Sequence, residues 1–151
     1  MHHSEYLPEL ILQKKITVVP SGKKVVFHDP CELGRGSGIY IQPRILLKHF
    51  NNLEPMAQEK EHSLCCGGSL GNLSMNPEER CAIQKATSEY LNSANAEIIA
   101  TSCPMCKKSI AQFSDAPVKD IAELVAASLE TNIEREKSLK HRKEQEMIEI
   151  L

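Results

Sequence analysis

Five of the six cysteines in this chain fall in three short segments: Cys31 alone, the adjacent pair Cys65 and Cys66 followed by Gly67 and Gly68, and Cys103 with Cys106. Gaps of 34 residues from Cys31 to Cys65 and 37 from Cys66 to Cys103 are too long for one loop, so the sulfurs act together only if a fold gathers them. Once gathered, five thiolates repel one another; without a cation they stay protonated or oxidise in pairs. A bound metal removes that conflict, and the spacing reads as a metal site. Iron–sulfur clusters and structural zinc each ordinarily take four protein ligands, so a fifth sulfur favours an atypical cluster or an exchangeable ligand.

Short apolar runs lead into the cysteine segments. Lys24 to Phe27 runs into His28-Asp29-Pro30-Cys31, and Glu97 to Ala100 runs into Thr101-Ser102-Cys103-Pro104. The middle case is weaker, because Pro55 interrupts Leu53 to Met56 and eight residues separate Met56 from Cys65. Helical patterns lie between these runs, and strand–helix alternation predicts a parallel sheet covered by helices. Right-handed crossovers in such a sheet put the loops after the strands on one edge, where ligands bind.

Helix signals fit that layout. Pro43 suits a first helical turn, with Ile45, Leu46, Leu47 and Phe50 following. Asn76-Pro77-Glu78-Glu79 joins an N-cap, a first-turn proline and a capping-box glutamate, with Ile83, Ala86 and Tyr90 on one face. Pro104 opens a helix running through Ile110 and Phe113, and Asp120 caps another whose apolar face is Ile121, Leu124, Val125 and Leu129. Val118 reads as a short edge strand, and Ser4 to Lys15 as a helix with Leu7, Leu10 and Ile11 inward despite Pro8.

With 151 residues, 41% of them hydrophobic, the chain suits one domain. A net charge of -2 and the absence of tryptophan argue against a nucleic-acid binder. No run reaches a membrane span and no signal peptide is visible, so a cytoplasmic protein is expected. Under reducing conditions, metal ligands or redox thiols are the expected use of six cysteines. Residues 131–151 read as a charged helix or tail beyond a domain spanning 1–130.

The segments His28-Asp29-Pro30-Cys31-Glu32-Leu33-Gly34-Arg35, Pro43-Arg44-Ile45-Leu46, Leu64-Cys65-Cys66-Gly67-Gly68, Thr101 to Cys106 and Val118 to Leu124 together resemble the cysteine-rich CCG domain. That domain occurs in iron–sulfur oxidoreductases such as heterodisulfide reductase and the iron–sulfur components of glycolate and lactate oxidation systems. The resemblance implies a Rossmann-like α/β domain, with about four strands in a parallel sheet and helices on both faces. It also implies a [4Fe-4S] cluster, noncubane in some members, with Cys31, Cys65, Cys66, Cys103 and Cys106 as ligands. Long members of the family resemble a ferredoxin-like cluster domain followed by two cysteine-rich domains, of which this chain holds only the second. Electrons would therefore arrive from a ferredoxin-like cluster domain or a flavin subunit. Disulfide reduction and relay from hydroxy-acid oxidation are both compatible.

Around the cysteines, Gly67 and Gly68, with Gly71 beyond, allow backbone to approach the sulfurs and aim N–H groups at them. A helix start at Cys103 and Cys106 stabilises thiolates by about 1 kcal/mol each. His28 is a candidate proton donor or cluster hydrogen-bond partner, against a turn cap with Asp29. Arg35 and Arg44 either offset cluster charge and grip an anion, or form ordinary surface pairs. His49 and His62 read as surface residues, although His62 lies within reach of the site. Gly34, Gly36 and Gly38 read as a flexible loop, and Cys81 as a small buried apolar residue rather than a ligand. Two alternatives stay open: a zinc-stabilised interaction module, and a thiol–disulfide oxidoreductase working through Cys103 and Cys106.

Overall fold

The runs ahead of Cys31 and Cys103 form the centre of the sheet. In the computed structural model, which describes residues 1–68 and 74–129, β1 (Lys24–Phe27) lies between β2 (Asn52–Glu54) and β3 (Ile98–Thr101), and β4 (Val118–Asp120) flanks β3. All three pairings are parallel, with Val26 opposite both Glu54 and Ile99, and Thr101 opposite Asp120. The fold is the expected α/β arrangement. β2 is short because Pro55 has no N–H for a ladder.

Alternating side chains divide the core into two layers. Val25, Phe27, Ile98 and Ala100 pack with Leu46, Leu47 and Phe50, with Ile121, Leu124 and Val125, and with the partly buried Leu7 and Ile11. These residues bring α1 (His3–Leu12), α2 (Ile41–Lys48) and α5 (Ile121–Ser128) to one face. Val26, Ile99 and Val118 face the other way, against Leu91 of α3 (Pro77–Asn92) and Ile110 of α4 (Pro104–Ile110). Cys66 and Cys106 belong to this second layer.

The local signals set most helix starts. Asn76 accepts from the Glu79 N–H at 2.8 Å while the Glu79 carboxylate accepts from the Asn76 N–H at 3.1 Å, closing the capping box. Asp120 and Glu123 make the same reciprocal pair at α5. The helix α2 opens at Ile41, two residues before Pro43, whose missing N–H is harmless in a first turn.

Three expectations about side-chain placement and one about a helix end are corrected. The buried face of α3 is Thr87, Ser88 and Leu91, while Ala86 is exposed, because beside the contact of Leu91 with the sheet this face meets the carbonyls of Cys65 and Ile110. Cys81 lies on the outer face of α3 and is exposed. Leu129 is 42% exposed, because α5 ends at Ser128 and the chain turns to bridge Val18. The helix after Pro104 stops at Ile110, short of Phe113. The expected helix over 131–151 lies outside the described residues, as does Gly71. Among the described residues, no helix is long and apolar enough to cross a membrane.

The sheet order β2-β1-β3-β4 places the site. From β1 the chain crosses to β2 on one side, and the later strands lie on the other, so neighbouring loops leave β1 and β3 in diverging directions. A crevice forms at such a reversal, at the carboxyl ends of the strands. Cys31 and Cys103 stand beside it.

Candidate metal centre

The loop after β1 is held by a buried ion pair. Asp29, 3% exposed at its side chain, accepts from Arg44 Nη1 at 2.6 Å and Nη2 at 2.7 Å, and also from the Lys60 N–H at 2.8 Å. Arg44 reaches Glu59 Oε2 at 3.1 Å and lies 5.3 Å above the Phe27 ring. Beyond Cys31 the chain makes a π-helical turn over Glu32–Gly36, with the Gly36 N–H donating to the Cys31 carbonyl at 3.0 Å. The glycines expected to form a flexible loop are thus part of a hydrogen-bonded turn. Arg35 extends from it and donates to the carbonyls of Glu61 at 3.3 Å and Ser63 at 2.8 Å.

These two arginines explain how the weakly predicted middle segment reaches the site. Ser63 Oγ donates to the Asp29 carbonyl at 3.3 Å, so residues 59–63 are fastened along the loop that carries Cys31, immediately before Cys65. Both arginines are therefore occupied with structure. Arg44 pairs in the interior rather than at the surface, and neither lines the crevice.

The cysteine pair is set by backbone and hydroxyl contacts. Gly67 has φ +70°, and a Cβ there would lie 2.8 Å from Gln84 Cγ and 3.2 Å from the Arg80 carbonyl. At Gly68 a Cβ would come within 3.2 Å of the Met105 carbonyl and 3.5 Å of Cys66 Sγ. The Gly67 N–H donates to Cys65 Sγ and the Gly68 N–H to Cys66 Sγ, each at 3.4 Å. Thr87 Oγ1 donates to the Cys65 carbonyl at 2.7 Å and Ser109 Oγ to the Cys66 carbonyl at 2.5 Å. Sequence reasoning missed Thr87, Ser109 and the Asp29–Arg44 pair. Their only trace is polar residues where an apolar helix face or an exposed loop was expected.

Cys31, Cys66, Cys103 and Cys106 line one cavity of about 1050 Å³, together with Ser102 and Gly68. Cys65 stands beside it and raises the Cys31 pKa through its negative charge, an effect second to burial and shared with Cys66. Cys103 caps α4, and Cys106 lies in its first turn. The Cys106 thiol donates to Cys66, which lowers the Cys66 pKa and raises that of Cys106; His28 and the Gly68 N–H also favour the Cys66 thiolate. His28, 3% exposed, has a ring nitrogen within 4.8 Å of the sulfurs of Cys66 and Cys106. Outside this group, His62 is exposed and pairs with Glu61, His49 is exposed, and Cys81 is exposed on α3.

A soft metal or cluster suits this donor set. The cavity wall presents thiols from three loops, and the buried Ser102 Oγ among them has no hydrogen-bond partner among the described residues.

A family model described as a cysteine-rich domain, CCG, matches residues 25–111. The chain belongs to the CCG cysteine-rich domain family. It is 34% identical over 137 residues to one subunit of the dihydromethanophenazine:CoB–CoM heterodisulfide reductase of Methanosarcina barkeri, a match covering 85% of this chain and 34% of the relative. Identity is 33% over 128 residues to one subunit of the fumarate reductase (CoM/CoB) of Methanothermobacter marburgensis, covering 81% of this chain and 26% of the relative. A probable iron-sulfur-binding oxidoreductase of Bacillus subtilis is 32% identical over 138 residues, covering 85% and 20% respectively. The expected kinship with iron–sulfur oxidoreductases therefore holds, heterodisulfide reductase among them. This CCG domain spans about a third or less of the length of these relatives. No solved structure matches the chain.

Proposed function

We propose that this CCG domain is an electron-transfer module of a larger oxidoreductase, holding an iron–sulfur cluster on Cys31, Cys65, Cys66, Cys103 and Cys106. The observation that carries the reading is the meeting of thiols from three remote loops at one crevice. When bound, such a cluster accepts and releases single electrons at a potential tuned by its hydrogen bonds and burial. The protein's own contribution is the frame. Asp29 and Arg44 fix the first loop, Arg35 ties the second to it, and the Gly67 and Gly68 N–H groups hydrogen-bond to thiolate sulfur. His28, hydrogen-bonded to Cys66, orients that sulfur and can hold a proton beside it.

Electrons would come from a cluster domain or flavin subunit, in keeping with relatives named as oxidoreductase subunits several times longer than the matched region. Their names make a heterodisulfide or a fumarate-type acceptor the leading substrate classes for the whole assembly. Membrane association through such partners is in keeping with this reading, and among the described residues no helix is long and apolar enough to cross a membrane.

A second reading rests on the compact trio His28, Cys66 and Cys106, whose ligand atoms lie within 4.8 Å of one another, close enough for a single zinc ion. Protein purified without oxygen decides between them. Broad visible absorption that bleaches on reduction, with about four iron and four sulfide per chain, is expected for a [4Fe-4S] cluster. A colourless protein holding one zinc and no sulfide would overturn the cluster reading.

A further inference from the structure

The vicinal cysteines are gripped from behind by two hydroxyls whose purpose neither the fold nor the thiol spacing explains. Thr87 and Ser109 are 2% and 3% exposed, stand on different helices, and reach 22 and 43 residues along the chain to the carbonyls of Cys65 and Cys66. A trans peptide is planar, so its C=O and N–H point in opposite directions. The Cys66 carbonyl and the Gly67 N–H share one such plane. When Ser109 Oγ holds that oxygen at 2.5 Å, the opposite edge of the plane is aimed at Cys65 Sγ, which the Gly67 N–H meets at 3.4 Å. Thr87 fixes the preceding plane through the Cys65 carbonyl; the N–H of that plane belongs to Cys66, so Thr87 steadies the chain leading into the Gly67 plane rather than aiming a glycine N–H itself.

We propose that Ser109 is a positioning residue that sets the reduction potential of the centre by aiming the Gly67 N–H at Cys65 Sγ, with Thr87 steadying the peptide plane that precedes it. The inference rests on the cluster reading above. Gly67 makes rotation of the Cys66–Gly67 plane easy, since glycine tolerates its +70° φ without strain. The hydroxyls remove that freedom. An N–H hydrogen bond to sulfur favours the more negative, reduced state, so its loss lowers the potential. Ser102 Oγ, unpartnered among the described residues, is not one of these braces.

The test compares wild-type protein, Ser109→Ala, Thr87→Val and Thr87→Ser, each reconstituted anaerobically with iron and sulfide and titrated electrochemically. Ser109→Ala should lower the reduced-to-oxidised ratio at the wild-type midpoint about tenfold, a shift of about 59 mV for one electron. Thr87→Val should shift it in the same direction and Thr87→Ser, which keeps the hydroxyl, should restore it. Should Ser109→Ala fail to hold a cluster, the Thr87 pair decides alone. Wild-type midpoints in both Ser109→Ala and Thr87→Val overturn the proposal, as does a Thr87→Ser variant that behaves like Thr87→Val. A wild-type protein that takes up no iron or sulfide fails at the earlier step and removes the cluster reading together with this one.

Discussion

Replacing Arg44 by methionine tests whether the first cysteine loop is held by a desolvated charge pair. The guanidinium makes two bonds to Asp29 at 2.6 and 2.7 Å, one to the Tyr40 carbonyl at 3.0 Å and one to Glu59 at 3.1 Å. Its side chain is 10% exposed and that of Asp29 only 3%, so losing the cation strands a buried carboxylate. Breaking a buried pair from one side costs about 3–5 kcal/mol, against about 0–1 for an exposed pair. Asp29 keeps the Lys60 N–H at 2.8 Å, and Glu59, 26% exposed, can turn to water. Those two facts place the expected loss near the low end, about 3 kcal/mol. For a chain of this size that corresponds to roughly 6–12 °C in Tm. Urea unfolding of reduced, metal-free protein measures it directly, and Asp29→Asn completes a double-mutant cycle. The double variant should recover much of the loss, since no unpaired ion remains. A loss under about 1 kcal/mol with an unchanged m value, or strictly additive single variants, would refute the buried-pair argument.

Other outcomes follow from the same geometry. Gly67→Ala puts a Cβ 2.8 Å from Gln84 Cγ at a positive φ, and should cost about 1–3 kcal/mol in urea unfolding together with iron content. Cys81→Ser, on an exposed helix surface, should leave iron content unchanged and stability within about 0.5 kcal/mol, whereas Cys66→Ser should abolish metal retention on elemental analysis. Glu123 is held below its usual pKa of 4.5, first by its hydrogen bond with Lys107 and then by the Asp120 N–H. A lowered folded-state value means that its stabilisation is complete above the unfolded value and disappears as pH falls through the folded one. Wild type and Glu123→Gln should therefore differ by under about 1 kcal/mol at neutral pH and draw together as pH falls through and below the ordinary carboxylate range, as followed by urea midpoints; a gap that widens on acidification contradicts the sign.

The residues that act through near neighbours were legible. Asn76, Pro77 and Glu79 close a capping box within four positions, and the valine and isoleucine runs before Cys31 and Cys103 are strands wherever they pack. Three separated thiol segments after strand-like runs announced a shared site, because parallel strands with right-handed crossovers leave no other place for those loops. Phase along a helix was less informative. Periodicity gave α3 one apolar face, but only Leu91 of the helix is buried against the sheet, and the carbonyls of Cys65 and Ile110 beside it draw in Thr87 and Ser88 and not Ala86.

The sequence by itself determined the elements and the thiol inventory, since both depend on backbone preference and residue chemistry at short range. Tertiary structure alone decided that Arg44 belongs to Asp29 rather than to an anion, that His28 meets Cys66 and Cys106, and that Ser109 braces a carbonyl 43 residues away. Such contacts join segments whose separation along the chain carries no geometric information, and they exist only once two faces of one sheet have fixed which loops stand side by side.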